Sequence, residues 1–161
     1  MIKKINLLFL TLFSIGKIKY APGTLASFVT CLFFIIFINS LGMYSMLIIT
    51  LLIFFYSFVA INNSFDQFDN DDPQEIVIDE VVGQMLPLLA IPIYETLYMA
   101  PKEYYCAAAF VLFRLFDIWK PFPINYVDKN TEGSLGIMLD DILAGIYTII
   151  ILIIIFFFIG A

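Results

Sequence analysis

Histidine is absent from the chain. That absence removes His-ligated zinc, phosphohistidine chemistry and every Ser-His or Cys-His nucleophile pair. Cysteine is nearly absent as well. Cys31 and Cys106 lie in apolar stretches without metal-ligand spacing and read as small buried hydrophobes. Cys106 and Arg114 stand eight apart, which does not fit a Cys-x5-Arg phosphatase loop. Neither an Asp-x-Asp-x-Thr phosphoenzyme motif nor a P-loop occurs. Charge is scarce at 14% of residues, and a net charge of −6 argues against nucleic acid as a partner.

What is present is apolar: 62% of the 161 residues, including 18 Phe. A water-soluble domain of this size would lack the polar surface to cover itself. The composition therefore reads as one membrane-embedded domain over residues 1–161, an all-α, polytopic helical bundle. Five apolar segments follow one another: Leu25–Asn39, Met43–Ile61, Ile76–Tyr94, Tyr104–Trp119 and Ile137–Ile159. A spanning helix needs about 20 residues, so the second, third and fifth are long enough and the first and fourth are marginal. Asn39-Ser40-Leu41-Gly42 is a tight turn, and Pro87 and Pro92 predict a kink or early end in the third segment. Before them, Lys3-Lys4 and apolar Ile5–Ile15 look like a signal peptide, but no small-x-small cleavage site follows. This stretch is expected to be a retained interfacial or re-entrant segment.

Lys3, Lys4, Lys17, Lys19, Lys120 and Lys129 fall on one side of this topology and only Lys102 on the other. The positive-inside rule makes the lysine-rich side cytoplasmic. Ten charged residues then sit in or beside apolar segments at that same end: Asp79, Glu80, Arg114, Asp117, Lys120, Asp128, Lys129, Glu132, Asp140 and Asp141. Each costs on the order of 2.5–3.5 kcal/mol in lipid, so their default reading is functional.

Asp79-Glu80 and Asp140-Asp141 are expected at the starts of two helices. Helix capping explains one such pair about as well as function does, but explains two at one depth less well. Crowded carboxylates call for a cation, and hard oxygen donors favour Mg²⁺. Arg114, Asp117 and Lys120 fall at i, i+3 and i+6, with Asp117 able to pair either cation. Arg114 suits bidentate phosphate binding; Lys120 could also snorkel to headgroups. Pro22-Gly23-Thr24 is a weak candidate for a phosphate-cradling turn at a helix start. The acidic stretch from Asp66 to Glu75 lacks the glycine and late glutamate of a calcium loop and reads as a solvated connector.

Four stretches together resemble the phosphatidylglycerophosphatase A family. They are Ala21-Pro22-Gly23-Thr24-Leu25-Ala26-Ser27, Ile76-Val77-Ile78-Asp79-Glu80-Val81-Val82-Gly83, Phe113-Arg114-Leu115-Phe116-Asp117-Ile118-Trp119-Lys120-Pro121 and Gly136-Ile137-Met138-Leu139-Asp140-Asp141. The resemblance implies a Mg²⁺-dependent phosphoric monoester hydrolase of the bacterial inner membrane. Such an enzyme converts phosphatidylglycerophosphate to phosphatidylglycerol in phospholipid biosynthesis. Joined to the residue-level reading, it assigns Asp79, Glu80, Asp140 and Asp141 as metal ligands. Arg114 and Lys120, with Gly23 and Thr24, would hold phosphate, Asp117 would orient the cations, and Asp128 would be a general acid or further ligand. The absence of histidine makes metal-activated water the more economical nucleophile, with an aspartyl-phosphate left open. Membrane lipids are the surroundings and the source of substrate. Alternatives are a phosphatase for another lipid phosphate, a small cation transporter and a non-catalytic membrane subunit. A transporter would place its polar groups at the bilayer midplane instead of at one interface.

Overall fold

The computed structural model describes residues 2–68, 73–91 and 101–159, and all regular structure among them is helical. The α-helices described are α1 (Ile2–Leu10), α2 (Pro22–Ser64), α3 (Ile78–Leu89), α4 (Lys102–Trp119), α5 (Ile124–Asn130) and α6 (Gly133–Ile159). The acidic stretch 69–72 and the end of the third apolar segment, Pro92 and Tyr94 included, lie outside the described residues.

Pro22 starts α2, where a missing N–H removes no helical bond. The helix is broken at Gly42, whose φ of 75° and ψ of 165° glycine adopts without penalty. The chain reverses there. Ala26 shares a core cluster with Ala60 and Ile61, and Phe34 shares another with Met46. In an unbroken helix Ala26 and Ala60 would stand about 50 Å apart. The first two apolar segments are therefore the limbs 22–41 and 43–64 of an antiparallel hairpin, with the expected turn at its tip.

The third segment ends early, as Pro87 predicts. Described α3 has 12 residues, about 18 Å, and ends two residues past Pro87. The fifth departs from expectation at its start, because α6 begins at Gly133 and not near Ile137. Asp140 and Asp141 consequently sit about two turns inside α6, so capping of its first turn does not account for them. Among the described residues, two stretches are long and apolar enough to cross a membrane, Pro22–Gln67, which holds both limbs of the hairpin, and Gly133–Phe158, where about five apolar helices were expected. The 18-residue α4 carries Lys102, Glu103, Arg114 and Asp117, which dilute its apolar character.

Packing centres on α3, which lies between α2 and α6. A Cβ added at Gly83 would come within 2.7 Å of the Asp141 carbonyl oxygen, and one at Gly145 within 2.5 Å of the Gly83 carbonyl. Two glycines thus let the α3 and α6 backbones touch, and this contact sets how closely their acids approach. On the outside, Phe28, Leu32, Ile36, Leu52, Phe55, Val111, Ile150 and Phe157 are exposed. An apolar surface spread over several helices is far larger than a soluble monomer leaves open to water.

At about 14 Å, α1 is too short to cross a bilayer. It packs on the return limb of α2 through buried Asn6 and Leu10. Tyr56 donates its hydroxyl to Asn6 Oδ1 at 2.9 Å, and Val77 N–H bonds to the Leu10 carbonyl at 3.0 Å. Lys3 pairs with Asp66 at 2.5 Å, which also draws the Asp66 carboxyl below its ordinary pKa. Ile2, Ile5 and Leu8 point outward, as an interfacial or re-entrant segment requires.

Candidate active site

The starts of α2 and α3, the end of α4 and the first turns of α6 meet at one end of the bundle. They enclose a cavity of about 960 Å³, and all ten candidate residues named from the sequence line it.

At its base lie three acids. Asp79 and Glu80 stand in the first turn of α3, and Asp141 reaches across from α6. One carboxylate oxygen from each falls within 4.8 Å of the other two. Asp141 is only 3% exposed, and Asp141 Oδ1 and Glu80 Oε2 are buried without a hydrogen-bond partner among the described residues. Three carboxylates this close repel one another, and their bare oxygens have lost water without gaining a donor. A small divalent cation answers both deficits. An all-oxygen donor set with room for further oxygen ligands is the chemistry that Mg²⁺ takes.

Two cations face these acids. Arg114 Nη1 lies 2.5 Å from Asp117 Oδ2, one turn along α4, and 3.8 Å from Glu80 Oε1. Its Nε is buried, and neither Nε nor Nη1 has a well-aligned hydrogen-bond partner among the described residues. Lys120 ends α4 in a left-handed conformation, φ 45°, just before Pro121. That turn swings its ammonium toward α5 and α6, where it bonds to Asp128 and to Asp140 Oδ2 at 2.7 Å. Burial pulls the Lys120 pKa down, but these two carboxylates outweigh it and hold the ammonium above its ordinary value. Asp117 therefore pairs Arg114 and not Lys120. Asp140, expected among the metal ligands, bonds Lys120 through Oδ2 and keeps Oδ1 buried without a partner among the described residues, while the three acids whose oxygens lie within 4.8 Å of one another are Asp79, Glu80 and Asp141.

The third side is the start of α2. Ala21 adopts φ 48°, and the first helical bond runs from Leu25 N–H to its carbonyl at 3.1 Å. The N–H groups of Gly23 and Thr24 precede that bond and have no partner within the helix, and both residues line the cavity. A Cβ on Gly23 would collide with Glu80 Oε1 and come within 3.2 Å of Arg114 Nη1. Glycine here is a packing requirement.

Several lining residues carried no site role in the sequence reading. Lys19, Gln74 and Thr131 line the cavity. Lys19 carried a signal, three residues ahead of Pro22, but counted only toward topology. Gln84, one turn past Glu80, is fully buried with neither amide atom hydrogen-bonded. Its polarity inside an apolar segment was visible in the sequence.

An acid cluster of oxygen donors opposite a guanidinium and an ammonium, on an all-helical frame, has donor sets that could hold a metal ion and a phosphate. The family model for phosphatidylglycerophosphatase A matches residues 8–156. A phosphatidylglycerophosphatase A of Haemophilus influenzae is 39% identical over 139 residues, covering 86% of this chain and 81% of that protein. A putative phosphatidylinositol-3-phosphatase of Bacteroides thetaiotaomicron is 35% identical over 143 residues, or 87% and 86% of the two chains. A phosphatidylglycerophosphatase A of Escherichia coli K12 is 43% identical over 75 residues, 47% of this chain and 40% of that one. No solved structure matches. The chain belongs to the phosphatidylglycerophosphatase A family.

Proposed function

We propose that this protein is a Mg²⁺-dependent phosphatase that hydrolyses phosphatidylglycerophosphate to phosphatidylglycerol and inorganic phosphate at the cytoplasmic face of a bacterial inner membrane. The observation that carries the reading is the joining of Asp79, Glu80 and Asp141, with the unpartnered oxygens of the last two, to Arg114 and Lys120 in one cavity. A transporter has no use for paired phosphate cations at one end. A passive headgroup-binding subunit has no use for the buried acids.

When bound, Mg²⁺ supplies neutralisation of phosphoryl charge and activation of a water nucleophile. Asp79, Glu80 and Asp141 would hold it. Arg114, oriented by Asp117, and Lys120, oriented by Asp128 and Asp140, receive the phosphoryl oxygens. The N–H groups of Gly23 and Thr24 add donors from the positive end of α2. In the overall reaction the P–O bond to the headgroup oxygen breaks, water supplies the new P–O bond, and a proton passes to the departing alcohol. Asp128, hydrogen-bonded to Lys120 at the less buried edge, is the carboxyl placed to exchange that proton.

For the multi-pass topology, support comes from charge at the two ends. Lys19, Lys120 and Lys129 gather round the cavity, while Lys102 hydrogen-bonds Asn39 near the tip of the α2 hairpin, at 3.0 Å. The two limbs of α2 and α6 form the spanning frame against which α3 and α4 pack, and the cavity opens at the cytoplasmic interface.

The test is phosphate release from phosphatidylglycerophosphate by purified protein in detergent, with Mg²⁺ and with EDTA. Release that needs Mg²⁺ supports the reading; no release by folded protein overturns the substrate assignment. The relative named for phosphatidylinositol 3-phosphate supports a second reading, a phosphatase for another lipid phosphomonoester. The same assay with that lipid decides between them.

A further inference from the structure

The inner part of the site accounts for one phosphate and leaves much of the cavity unused. A phosphoryl group, a metal ion and its water ligands amount to roughly ten water-sized groups, about 300 Å³ at some 30 Å³ each. The cavity measures about 960 Å³. Its inner cations are already assigned to the monoester: Arg114, paired with Asp117 and Glu80, and Lys120, paired with Asp128 and Asp140. Two further cations, Lys19 and Lys129, line the same cavity and are exposed.

Each is tied by the chain to the inner layer. Lys19 leads into the Ala21–Thr24 turn that abuts Glu80 and Arg114, and its ammonium lies 5.6 Å from the centre of the Tyr20 ring. Lys129 follows Asp128, the partner of Lys120, on α5. Glu132 is an acid lining this part of the cavity, yet neither lysine forms an ion pair among the described residues. Phosphatidylglycerophosphate carries two phosphates, the monoester that is cleaved and the diester that joins glycerol to the lipid. The diester keeps its negative charge throughout and must sit outward of the monoester, toward the membrane.

We propose that Lys19 and Lys129 form an outer anionic subsite that binds the phosphodiester of the lipid substrate while the monoester occupies the inner site. The inference rests on the function proposed above. Such a subsite contributes equally to the ground and transition states, so it sets KM and leaves kcat unchanged. It also binds the product phosphatidylglycerol, which keeps the diester but lacks the monoester. Inorganic phosphate, which can enter the inner site, does not need it.

The test is steady-state phosphate release from phosphatidylglycerophosphate in mixed micelles by wild type, Lys19→Gln, Lys129→Gln and Lys4→Gln. Inhibition constants are measured for phosphatidylglycerol and for inorganic phosphate. The expected result for Lys19→Gln and Lys129→Gln is a KM raised about tenfold, as for a lost charge contact worth about 1.4 kcal/mol. Their kcat stays within about twofold of wild type. Inhibition by phosphatidylglycerol weakens by the same factor, and inhibition by phosphate is unchanged. Lys4 is exposed and outside the cavity, so Lys4→Gln should match wild type. An unchanged KM in both rim variants overturns the subsite, as does an equal effect of Lys4→Gln, which would indicate general surface attraction. If wild type releases no phosphate from this lipid, the function itself falls, and the subsite with it.

Discussion

Asp79, Glu80 and Asp141 are held together without any protein cation among the three. Arg114 stands 3.8 Å from Glu80 and is turned mainly to Asp117. Removing one charge should relieve repulsion and still destroy function. Asp79→Asn and Asp141→Asn are expected to fold with a melting temperature at or above that of wild type. They should lose at least about 10²-fold in kcat, as when one electrostatic contributor to a transition state is deleted. Detergent melts beside phosphate-release assays check both halves. Lys120 makes a different prediction. Its pKa is raised in the folded state, so its contribution to stability is complete below the ordinary lysine value of 10.5 and fades only as pH rises through the higher folded value. Lys120→Met should therefore lower activity about tenfold or more at every pH from about 6 to 9, adding or removing no limb of the pH profile.

Among the helices, the decisive contact is backbone to backbone, where Gly83 on α3 meets the Asp141 turn of α6 and Gly145 meets Gly83. Gly83→Leu should force these helices apart. A loss of about 1–3 kcal/mol is expected from overpacking, with activity falling further than stability because the acids separate. A thermal melt and a kcat measurement on the same sample test that order. This element-level geometry also marks where sequence reading stopped. The acids, Arg114, Lys120 and the Gly23 turn were legible because charge and glycine stand out in an apolar chain. The hairpin tip at Gly42 was legible for the same reason. The partnerships were not, since Lys120 reaches Asp140 only through a left-handed turn that i, i+3 and i+6 counting does not contain. Asp140 and Asp141 likewise looked like a helix opening because the apolar pattern starts at Ile137, whereas polar Gly133–Gly136 is already helical. Pro87 made the early end of α3 legible as well, since a ring without an N–H inside an apolar run marks where a helix stops.

For the molecule as a whole, the proposed topology puts the lysines around the cavity on one side of the membrane and Lys102, near the opposite tip, on the other. Tyr20→Cys and Glu103→Cys, each in a Cys31→Ala, Cys106→Ala background, report on these ends. A membrane-impermeant thiol reagent should label the cysteine at 103 from outside the inner membrane and the one at 20 only after permeabilisation. The reverse pattern would put the cavity on the outer face and separate it from a substrate made inside.

The central claim is that Asp79, Glu80 and Asp141 hold a divalent cation beside the phosphate-binding cations. Its most direct test is Mn²⁺ binding to the purified protein in detergent, followed by electron paramagnetic resonance. Wild type should bind Mn²⁺, Mg²⁺ should displace it, and affinity should fall at least about tenfold in Asp79→Asn and in Asp141→Asn. Asp128→Asn should bind as wild type does. Folded wild type that binds no Mn²⁺, or variants of Asp79 and Asp141 that bind it unchanged, would contradict the account.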